Sequence, residues 1–506
     1  SWWCVACSRA AHANIKFMRR MLRIWEFTPM TKRLLRPLPA LLATTLAACS
    51  LTPTYERPTA PVAAQWADTQ RTATANTSAP DLDWQDFVGD ANLREVIRLA
   101  LANNRDLRVA VLNIEQTRAQ YQVQRANLFP SINAAVSQTR QSTSEINSSV
   151  STNASAGLTI PSTAAWEIDF FGRLGSLKEA ALAQYLATEE ARKTTQIALI
   201  ASVASTWLSL QADTELLELT QRTATTREDS LRLTQLRYDN GASSALDLRQ
   251  AESLAASARA TLAQQQRLQA QDINALTLLV GQTVPAPLLR SVARTTDTKV
   301  DLFKALPVGL PSEVLTRRPD VRQAEQLLIA ANANIGAARA AFLPRISLTA
   351  SAGTASNELA GLFKNGSWGW ALTPTIAVPV FDGGRNRANL ESARASQAIA
   401  VAQYEKAIQT AFREVADTLA GRATLSEQLA AQEAQARAEA DRMYLAELRY
   451  RTGVANSLDL LDSQRALFSV QQSVVQTRLA QQQNQVALYK ALGGGWTQTA
   501  EATAKR

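Results

Sequence analysis

Apolar residues recur with a helical period along four long stretches of the chain, at about 172–238, 243–280, 385–450 and 456–491. At a rise of 1.5 Å per residue, an unbroken helix of the longer kind would reach about 100 Å. In the first stretch, a coiled-coil seam is predicted at Ile200, Val203, Trp207, Leu210, Thr214 and Leu217. Ala, Gln and Thr dominate the remaining positions. Such small, polar faces suit either a solvated coiled coil or the wall of a water-filled lumen.

A shorter helical pattern runs from Leu93 to Ala126, after which the period changes from 3.6 to 2 and predicts strands. The predicted strands lie at about 131–137, 156–170, 346–352 and 368–380. Each has one apolar face with aromatic residues near an end, which is typical of lipid-facing strands in an outer-membrane barrel. A small soluble β-domain is the alternative. Because the long helices continue directly from these strands, the pattern favours a lumen between the helices.

The number of predicted strands has a consequence for assembly. A chain with four strands cannot close a membrane barrel, since such barrels start at about eight strands. Open strand edges are not tolerated in lipid, because their N–H and C=O groups would have no partner. Three chains would supply twelve strands, so the sequence predicts a trimer.

The two blocks of strands and long helices are predicted to be copies of each other. The matched positions, each 212 residues apart, are Tyr238 and Tyr450, Gly241 and Gly453, and the segments 246–248 and 458–460. The other matched segments are 212 or 214 residues apart. Chance similarity between Ala/Gln-rich helices explains one such match, but it does not easily explain several in register. The sequence therefore predicts an internal duplication, with each matched turn at the tip of a helical hairpin.

The duplication and the loop signals together divide the chain. Each repeat should contain a helix, two β-strands and a long helical hairpin. We expect an upstream extension outside the mature fold at 1–29, a lipoprotein signal peptide at 30–48, a lipid-anchored tether at 49–82, the first repeat at 83–281, a linker at 282–311, the second repeat at 312–492 and a polar tail at 493–506.

An export signal is predicted to begin at Met30. Basic residues at 32, 33 and 36 precede an apolar run at 38–46, which is too short to span a bilayer as a helix of about 20 residues. The following Leu-Ala-Ala-Cys at 46–49 resembles a bacterial lipobox, which implies cleavage before Cys49 and acylation of its sulfur. Ordinary signal cleavage with a spare cysteine is the alternative. Ser50, rather than an acidic residue, follows, as in lipoproteins sent to the outer membrane.

The charge and the residue types of the chain exclude several classes of function. Residues 1–48 hold eight of the 53 Lys/Arg and one of the 44 Asp/Glu, so the formal charge of +9 leaves the remaining chain with 45 basic and 43 acidic residues. That balance gives no basic surface for nucleic acid. His12 is the single histidine, and only Cys49 would remain of the cysteines after cleavage. Histidine acid/base chemistry and Cys/His metal sites are then unavailable, and no nucleotide-binding or nucleophile-elbow motif is evident. The sequence argues against an enzyme.

Four stretches together resemble the TolC-like outer-membrane efflux family, most closely its lipoprotein NodT-type branch. They are the lipobox at 46–49 and the segments 315–325, 378–385 and 449–465. The resemblance implies an α+β membrane protein: a homotrimer whose 12-stranded β-barrel continues into a long periplasmic α-helical barrel. It also implies docking to a periplasmic membrane-fusion adaptor and an inner-membrane RND-type pump. No cofactor is implied apart from a covalent lipid on Cys49.

In that family the hairpin tips form the closed periplasmic mouth of the channel. The resemblance assigns aperture residues to Asp459, Asp462 and Tyr450 in the second tip, and to Asp247, Gln250 and Tyr238 in the first. The tip glycines are Gly241 and Gly453. Some members of the family have a basic gate partner directly after the second glycine, but Val454, Ala455 and Asn456 stand there instead. The resemblance therefore leaves open how the mouth is held closed.

The spacing of the two acids has its own physical consequence. Asp459 and Asp462 lie three residues apart at the start of a predicted helix, so their side chains share a face. If threefold symmetry brings this face to the axis, the crowded carboxylates repel one another and some acquire raised pKa values. Such a ring should favour cations. The alternative is that both acids only cap the helix, where negative charge suits the N-terminal dipole.

Three functions compete at this point. The first is the exit duct of a drug or small-molecule efflux pump, and the second is the same architecture in a type I protein-secretion exporter. The third is a periplasmic coiled-coil adaptor or scaffold. An adaptor would have one hairpin and no paired blocks of strands, so the predicted duplication argues against it. The lipobox favours efflux over secretion.

Overall fold

The computed structural model describes residues 51–63, 83–141, 155–292, 302–304, 306, 317–356, 359–452, 454 and 457–494. The predicted extension and signal peptide, Cys49, the tip residue Gly453 and most of the predicted tail lie outside these residues.

Two pairs of long helices dominate the described part of the chain. The helices are α1 (Trp84–Phe87), α2 (Ala91–Asn103), α3 (Arg105–Ala126), α4 (Arg173–Asp239), α5 (Ala245–Val280), α6 (Ala286–Val292), α7 (Pro319–Ala340), α8 (Arg385–Arg451) and α9 (Ser457–Ala491). The bounds of α4, α5, α8 and α9 differ from the predicted ones by at most two residues. None of the described helices has an apolar stretch long enough to cross a membrane.

Both 67-residue helices, α4 and α8, begin in the same way. Gly172 and Gly384 precede them with φ of 72° and 88°, in the left-handed region that favours glycine. The carboxylates of Asp169 and Asp382 each accept two backbone N–H hydrogen bonds at these helix starts. Each long helix is therefore capped by the acid that follows its preceding strand.

One predicted helix is wrong in its extent. The apolar pattern from Leu93 to Ala126 predicted a single helix, but α2 and α3 are separate and Asn104 lies between them. The Asn104 side chain accepts a hydrogen bond from the backbone N–H of Leu107 and donates one to the carbonyl of Leu279. Asn104 thus caps α3 and binds the end of α5, and both contacts stabilise the break.

The strands form one antiparallel sheet in the order β1/β2, β3, β4, β5. Their bounds are β1 (Ser131–Ala134), β2 (Ser137–Gln141), β3 (Ser155–Ile168), β4 (Arg345–Ser356) and β5 (Trp368–Ala377). β1 and β2 pair with β3 in a common register, so the predicted first strand is present in two pieces. The interruption lies opposite Pro161, which has no N–H to donate to the ladder.

The centre of the sheet joins the two predicted repeats. β3 pairs with β4 from Leu158 and Ser356 at one end to Ile168 and Ile346 at the other. Gly353 lies opposite Pro161 in this register, and a Cβ there would come within 2.3 Å of the carbonyl oxygen of Ile160. Within the described residues, β1/β2 and β5 are the outer strands of the sheet.

The main hydrophobic core lies where α2 crosses the middle of α4 near the ends of α5 and α9. The Phe87 ring stacks on Phe303 at 4.9 Å and on Tyr489 at 4.1 Å between ring centroids. The predicted seam of α4 is buried from Ile200 to Thr214, and Trp207 is fully buried. The seam therefore packs into this core as well as along the helical hairpin.

The N-terminal segment (51–63) lies against α7 instead of hanging free. The carbonyl of Leu51 accepts a hydrogen bond from Arg339, near the end of α7 that leads into the sheet. The carbonyl of Pro53 accepts one from Asn332, and further along Tyr55 and Arg57 both donate to Glu325. The segment runs antiparallel to α7, so its first residues are the ones nearest the sheet. It was predicted as an extended tether; it is extended but bound.

Candidate functional site

The candidate site lies at the tips of the two long hairpins. In the first tip α4 ends at Asp239, and Gly241 follows with φ of 72°, the left-handed conformation that lets the chain turn back. The N–H of Gly241 donates to the carbonyl of Tyr238, and the N–H of Ala242 donates to the carbonyl of Arg237. In the second tip α8 ends at Arg451 and α9 begins at Ser457.

Asp462 is held between two arginines. Its Oδ2 accepts a hydrogen bond from Arg442 Nη2 at 2.7 Å, and its Oδ1 accepts one from Arg465 Nη2 at 3.0 Å. Arg442 lies on α8 and Arg465 on α9, so this Asp462 cluster (Arg442, Asp462 and Arg465) ties the two arms of the second hairpin together. Arg442 also binds Glu439, one turn away on its own helix.

The arginines affect the titration of the acid. The hydrogen bond from Arg442, with a smaller contribution from Arg465, lowers the pKa of Asp462 below its ordinary range. In the single chain the shift is thus opposite to the raised pKa expected for a ring of acids. The ring expectation concerns three chains around an axis and stays a prediction. Asp459 is exposed in the first turn of α9, three residues before Asp462.

Tyr450 connects the two tips. Its hydroxyl oxygen accepts a hydrogen bond from Arg237 Nη1 at 2.5 Å, and the guanidinium of Arg237 lies 5.4 Å from the centre of the tyrosine ring. This combines a hydrogen bond with a cation–π contact. Arg237 belongs to the end of α4 and Tyr450 to the end of α8, so the contact joins the first hairpin to the second.

Asp247 in the first tip has the geometry of a helix cap. The Ser244 hydroxyl accepts from the backbone N–H of Asp247, while the Asp247 carboxylate accepts from the backbone N–H and the hydroxyl of Ser244. This is a capping box at the start of α5. Gln250 is half-buried one turn later, and Tyr238 is exposed at the end of α4. Asp247 therefore caps its helix, whereas Asp462 binds arginine side chains.

Sequence reasoning missed the three arginines that hold the second tip. Arg465 follows Asp462 by three residues on one helix face, a spacing that typically allows an ion pair. Arg442 and Asp462 are equally far from Thr452, where the hairpin turns, so hairpin symmetry would also have paired them. The contact between Arg237 and Tyr450 had no such signal, because it depends on how the two tips approach each other.

Large apolar side chains are exposed at both ends of the sheet. Trp368 and Trp370 are 64% and 69% exposed at the start of β5, next to the connection from β4. At the opposite end, Phe170 and Phe381 are exposed where the chain passes from the strands towards α4 and α8. Between these ends, β5 has ten residues and spans about 34 Å at 3.4 Å per residue. Exposed apolar surface of this kind typically marks a lipid or protein interface.

The chain is similar to a family of known proteins. The profile of the family described as "Outer membrane efflux protein" matches residues 96–282 and 310–494. The "Toluene efflux pump outer membrane protein TtgC" of Pseudomonas putida is 47% identical over 94% of this chain and 98% of its own length. The "Antibiotic efflux pump outer membrane protein ArpC" of the same species has the same identity and coverage.

A solved structure agrees with these sequence matches. The crystal structure of the open state of the MtrE outer membrane channel of Neisseria gonorrhoeae has a TM-score of 0.77 and 38% identity to this chain. It covers 89% of this chain and 100% of the MtrE chain. The residues matched by the family profile include both hairpin tips.

Proposed function

Because this chain belongs to the outer membrane efflux protein family, we propose that its two hairpin tips form the periplasmic aperture of a passively conducting channel. The protein is the outer-membrane exit channel of a tripartite efflux pump, not an enzyme, and it extends from the outer membrane into the periplasm. Drugs or other small molecules are the proposed cargo. Relatives named for antibiotic efflux and for toluene efflux are equally similar to this chain, so similarity does not separate these substrates.

The Asp462 cluster is the observation that carries the aperture proposal. Both carboxylate oxygens of Asp462 are bound by arginines from the two arms of the hairpin, and Arg237 holds Tyr450 across to the other hairpin. These contacts keep the second tip folded against the first. In this proposal they hold the aperture closed, although no basic residue stands directly after the tip glycine.

The charge on the second tip gives the first test of the aperture. We expect the double variant Asp459→Asn/Asp462→Asn to lose cation preference, to be blocked less by trivalent cations and to respond less to pH, because the carboxylates that attract cations are gone. The measurement is planar-bilayer recording of the purified trimer. The matched control is Asp229→Asn on α4, an exposed acid paired with Arg232 on its own helix.

The capping hypothesis predicts a different result for the double variant. If Asp459 and Asp462 only cap α9, the double variant keeps its selectivity and loses a little stability. Unchanged selectivity in a properly assembled double variant would therefore exclude these residues from the aperture.

We further propose a trimer with a closed 12-stranded β-barrel and a long α-helical barrel. The described sheet has four strand positions and two outer strands, too few to close by itself. Its exposed tryptophans and phenylalanines lie in two bands at opposite ends of the strands, which suits the aromatic girdles of a membrane barrel. Pairing of β5 in one chain with β1/β2 of the next would satisfy both outer strands. The internal duplication would then supply two similar strand pairs and two hairpins from each chain.

A periplasmic membrane-fusion adaptor and an inner-membrane RND-type pump are the proposed partners. The exposed ends of the hairpins support docking there. The side chains of Tyr444, Leu445 and Leu448 on α8 and of Leu246 at the start of α5 are all at least half exposed. The relatives are named as efflux pump proteins, which favours efflux over type I protein secretion.

A covalent lipid on Cys49 is the last part of the proposal. The N-terminal segment supports it, since Leu51 is bound to Arg339 close to the sheet and Arg345 begins β4 shortly afterwards. A lipid only two residues before Leu51 would then lie at the level of the proposed membrane boundary, where its acyl chains can enter the bilayer. The binding of the segment to α7 holds this position.

Lipidation has a direct test. We expect Cys49→Ser to lose all incorporation of an alkyne-labelled fatty acid, because the thiol that carries the acyl chain is replaced by a hydroxyl. Metabolic labelling followed by gel fluorescence measures this. Arg57→Gln is the matched control, since it breaks the ion pair with Glu325 but keeps the cysteine. Label persisting on Cys49→Ser would refute the assignment.

A further inference from the structure

A buried arginine that forms no ion pair within the described part of the chain lies between the long helices, close to Arg465 of the Asp462 cluster. Arg227 on α4 is only 7% exposed, and its Nε atom is shielded from water with no hydrogen-bond acceptor in the described part of the chain. Burial lowers its pKa, and the nearby Arg465 lowers it further. A buried guanidinium is costly unless an anion pairs with it. Arg227 therefore needs a negative group that the described residues do not supply.

Arg227 lines a cavity of about 150 Å³ between α4, α8 and α9. Its lining residues include two arginines, two threonines and two glutamines, and no Asp or Glu is among those described. Arg222 and Thr226 are exposed at the mouth, whereas Arg227 is buried. The volume is far above the roughly 10–15 Å³ that a single water requires.

A second cavity, of about 160 Å³, shares Thr223, Arg227 and Phe468 with the first. Arg465 lines it, together with threonine and serine hydroxyls from α4 and α5. None of its described lining residues is acidic either. The carboxylate nearest along α9, Asp462, is already bound to Arg442 and Arg465. The positive charge of Arg227 is thus flanked by cavities whose described walls carry only positive and neutral groups.

The apolar part of the first cavity limits the type of anion. The guanidinium of Arg227 lies 5.9 Å from the centre of the Phe468 ring, and Leu467 and Met443 also line the cavity. A planar guanidinium binds a carboxylate through two parallel hydrogen bonds, while these apolar side chains suit a hydrocarbon or aromatic body. We propose that the cavity at Arg227 binds a small organic carboxylate, with its charged group on Arg227 and its apolar body against Phe468.

The cavity adjoins the Asp462 cluster, since its lining residues Met443 and Gln464 are the sequence neighbours of Arg442 and Arg465, but binding there does not depend on the conducting function. An anion bound there would neutralise the charge shared by Arg227 and Arg465, and it would join α4 to α9 behind the Asp462 cluster. The bound ligand would therefore stabilise the contact between the two hairpins. Binding can be measured without conductance or transport.

The test is ligand-observed ¹⁹F NMR with 4-fluorobenzoate and the full-length protein in detergent. We expect saturable binding to the wild type and binding at least about tenfold weaker to Arg227→Met, because a charge-assisted hydrogen-bonded pair is lost. Met is shorter than Arg, but it keeps an unbranched apolar stem and removes the unpaired charge, so the variant should fold and melt at a higher temperature than the ligand-free wild type. The matched control is Arg232→Met, an exposed arginine on the same helix, which should bind like the wild type.

Two further probes test whether the cavity requires a carboxylate on an apolar body. Neutral 4-fluorobenzyl alcohol should show only the micelle partition seen with Arg227→Met, and inorganic phosphate should not displace 4-fluorobenzoate at equal concentration. Equal binding of the alcohol, displacement by phosphate, or identical titrations of wild type and Arg227→Met would each overturn the proposal. Loss of trimers in Arg227→Met without any binding of 4-fluorobenzoate to the wild type would also overturn it, because the missing anion would then come from a second copy of the chain.

Discussion

Replacing Arg442 by Gln is expected to raise the open probability of the channel by about an order of magnitude, since in the proposed trimer three copies of the Asp462 cluster would be weakened together. Arg442 is the only described residue of α8 that binds Asp462. Its loss therefore removes the contact of Asp462 with α8. Arg465 remains on Asp462 but lies on the same helix. Single-channel recording measures the effect, and entry of a bulky hydrophilic antibiotic into cells provides a second readout.

The same variant should change the response to acid. The pKa of Asp462 is lowered below its ordinary value of 3.8. We therefore expect the contact with Arg442 to stabilise the proposed closed tip above that value and to be lost as the pH falls through the lowered pKa. The wild type should stay closed at neutral and mildly acidic pH and open only in strong acid. In Arg442→Gln the remaining acid response should move to higher pH.

A matched variant separates this effect from a general loss of charge. Arg413 also lies on α8 and faces Asp417 at 3.9 Å, with both side chains more than 70% exposed. Arg413→Gln removes the same charge from the same helix far from the tip, and it should leave conductance unchanged. If Arg442→Gln and Arg413→Gln behave alike, the Asp462 cluster does not hold the aperture closed.

Replacing Gly353 by Ala is expected to prevent most of the trimer from forming. The added Cβ would lie 2.3 Å from the carbonyl oxygen of Ile160 and 2.7 Å from the Cα of Pro161, so β3 and β4 could not keep their spacing. Overpacking of this kind costs about 1–3 kcal/mol or more per chain. The measurement is cross-linking in detergent, which should give a three-chain species for the wild type and little for the variant.

The sheet itself offers the control for this substitution. Gly369 on β5 pairs directly with Gly353, yet a Cβ at Gly369 would have no atom within 4 Å. Gly369→Ala should therefore assemble like the wild type. Normal trimers from Gly353→Ala would show that β3 and β4 do not approach as described, and a well-folded wild-type monomer would contradict the need for closure by neighbouring chains.

The long helices were predictable because their ends carry strong local signals. Gly172 and Gly384 stand where α4 and α8 begin, and Gly241 stands where the first hairpin turns. Each supplies a left-handed backbone conformation that other residues rarely adopt. The break at Asn104 was missed, because the apolar pattern continues through it and one of its two stabilising contacts, with Leu279, is tertiary.

The candidate site was predictable only in part. The acids and the tyrosine of the tips were found from the matched turns and the family resemblance, but the arginines that bind them were not. In the matched turns Asp247 corresponds to Asp459 and Gln250 to Asp462, and the matching alone did not show that Asp247 caps a helix or that Asp462 binds Arg442. Arg227 was missed for a different reason: a charged residue on a helix is usually exposed, and its burial is seen only when α4, α5 and α9 are packed together.

The pairing of β3 with β4 also imposes a delay during biogenesis, because β3 is synthesised well before its partner strand. Leu158 must find Ser356, which is synthesised roughly 200 residues later, or about 10–40 s at 5–20 residues per second. During that interval Trp166 and the other apolar residues of β3 have no strand from the second half of the chain to cover them. Pairing over such a separation is also intrinsically slow. We therefore expect that depletion of periplasmic chaperones that shield unpaired strands will aggregate the full-length protein before any defect in transport can be measured.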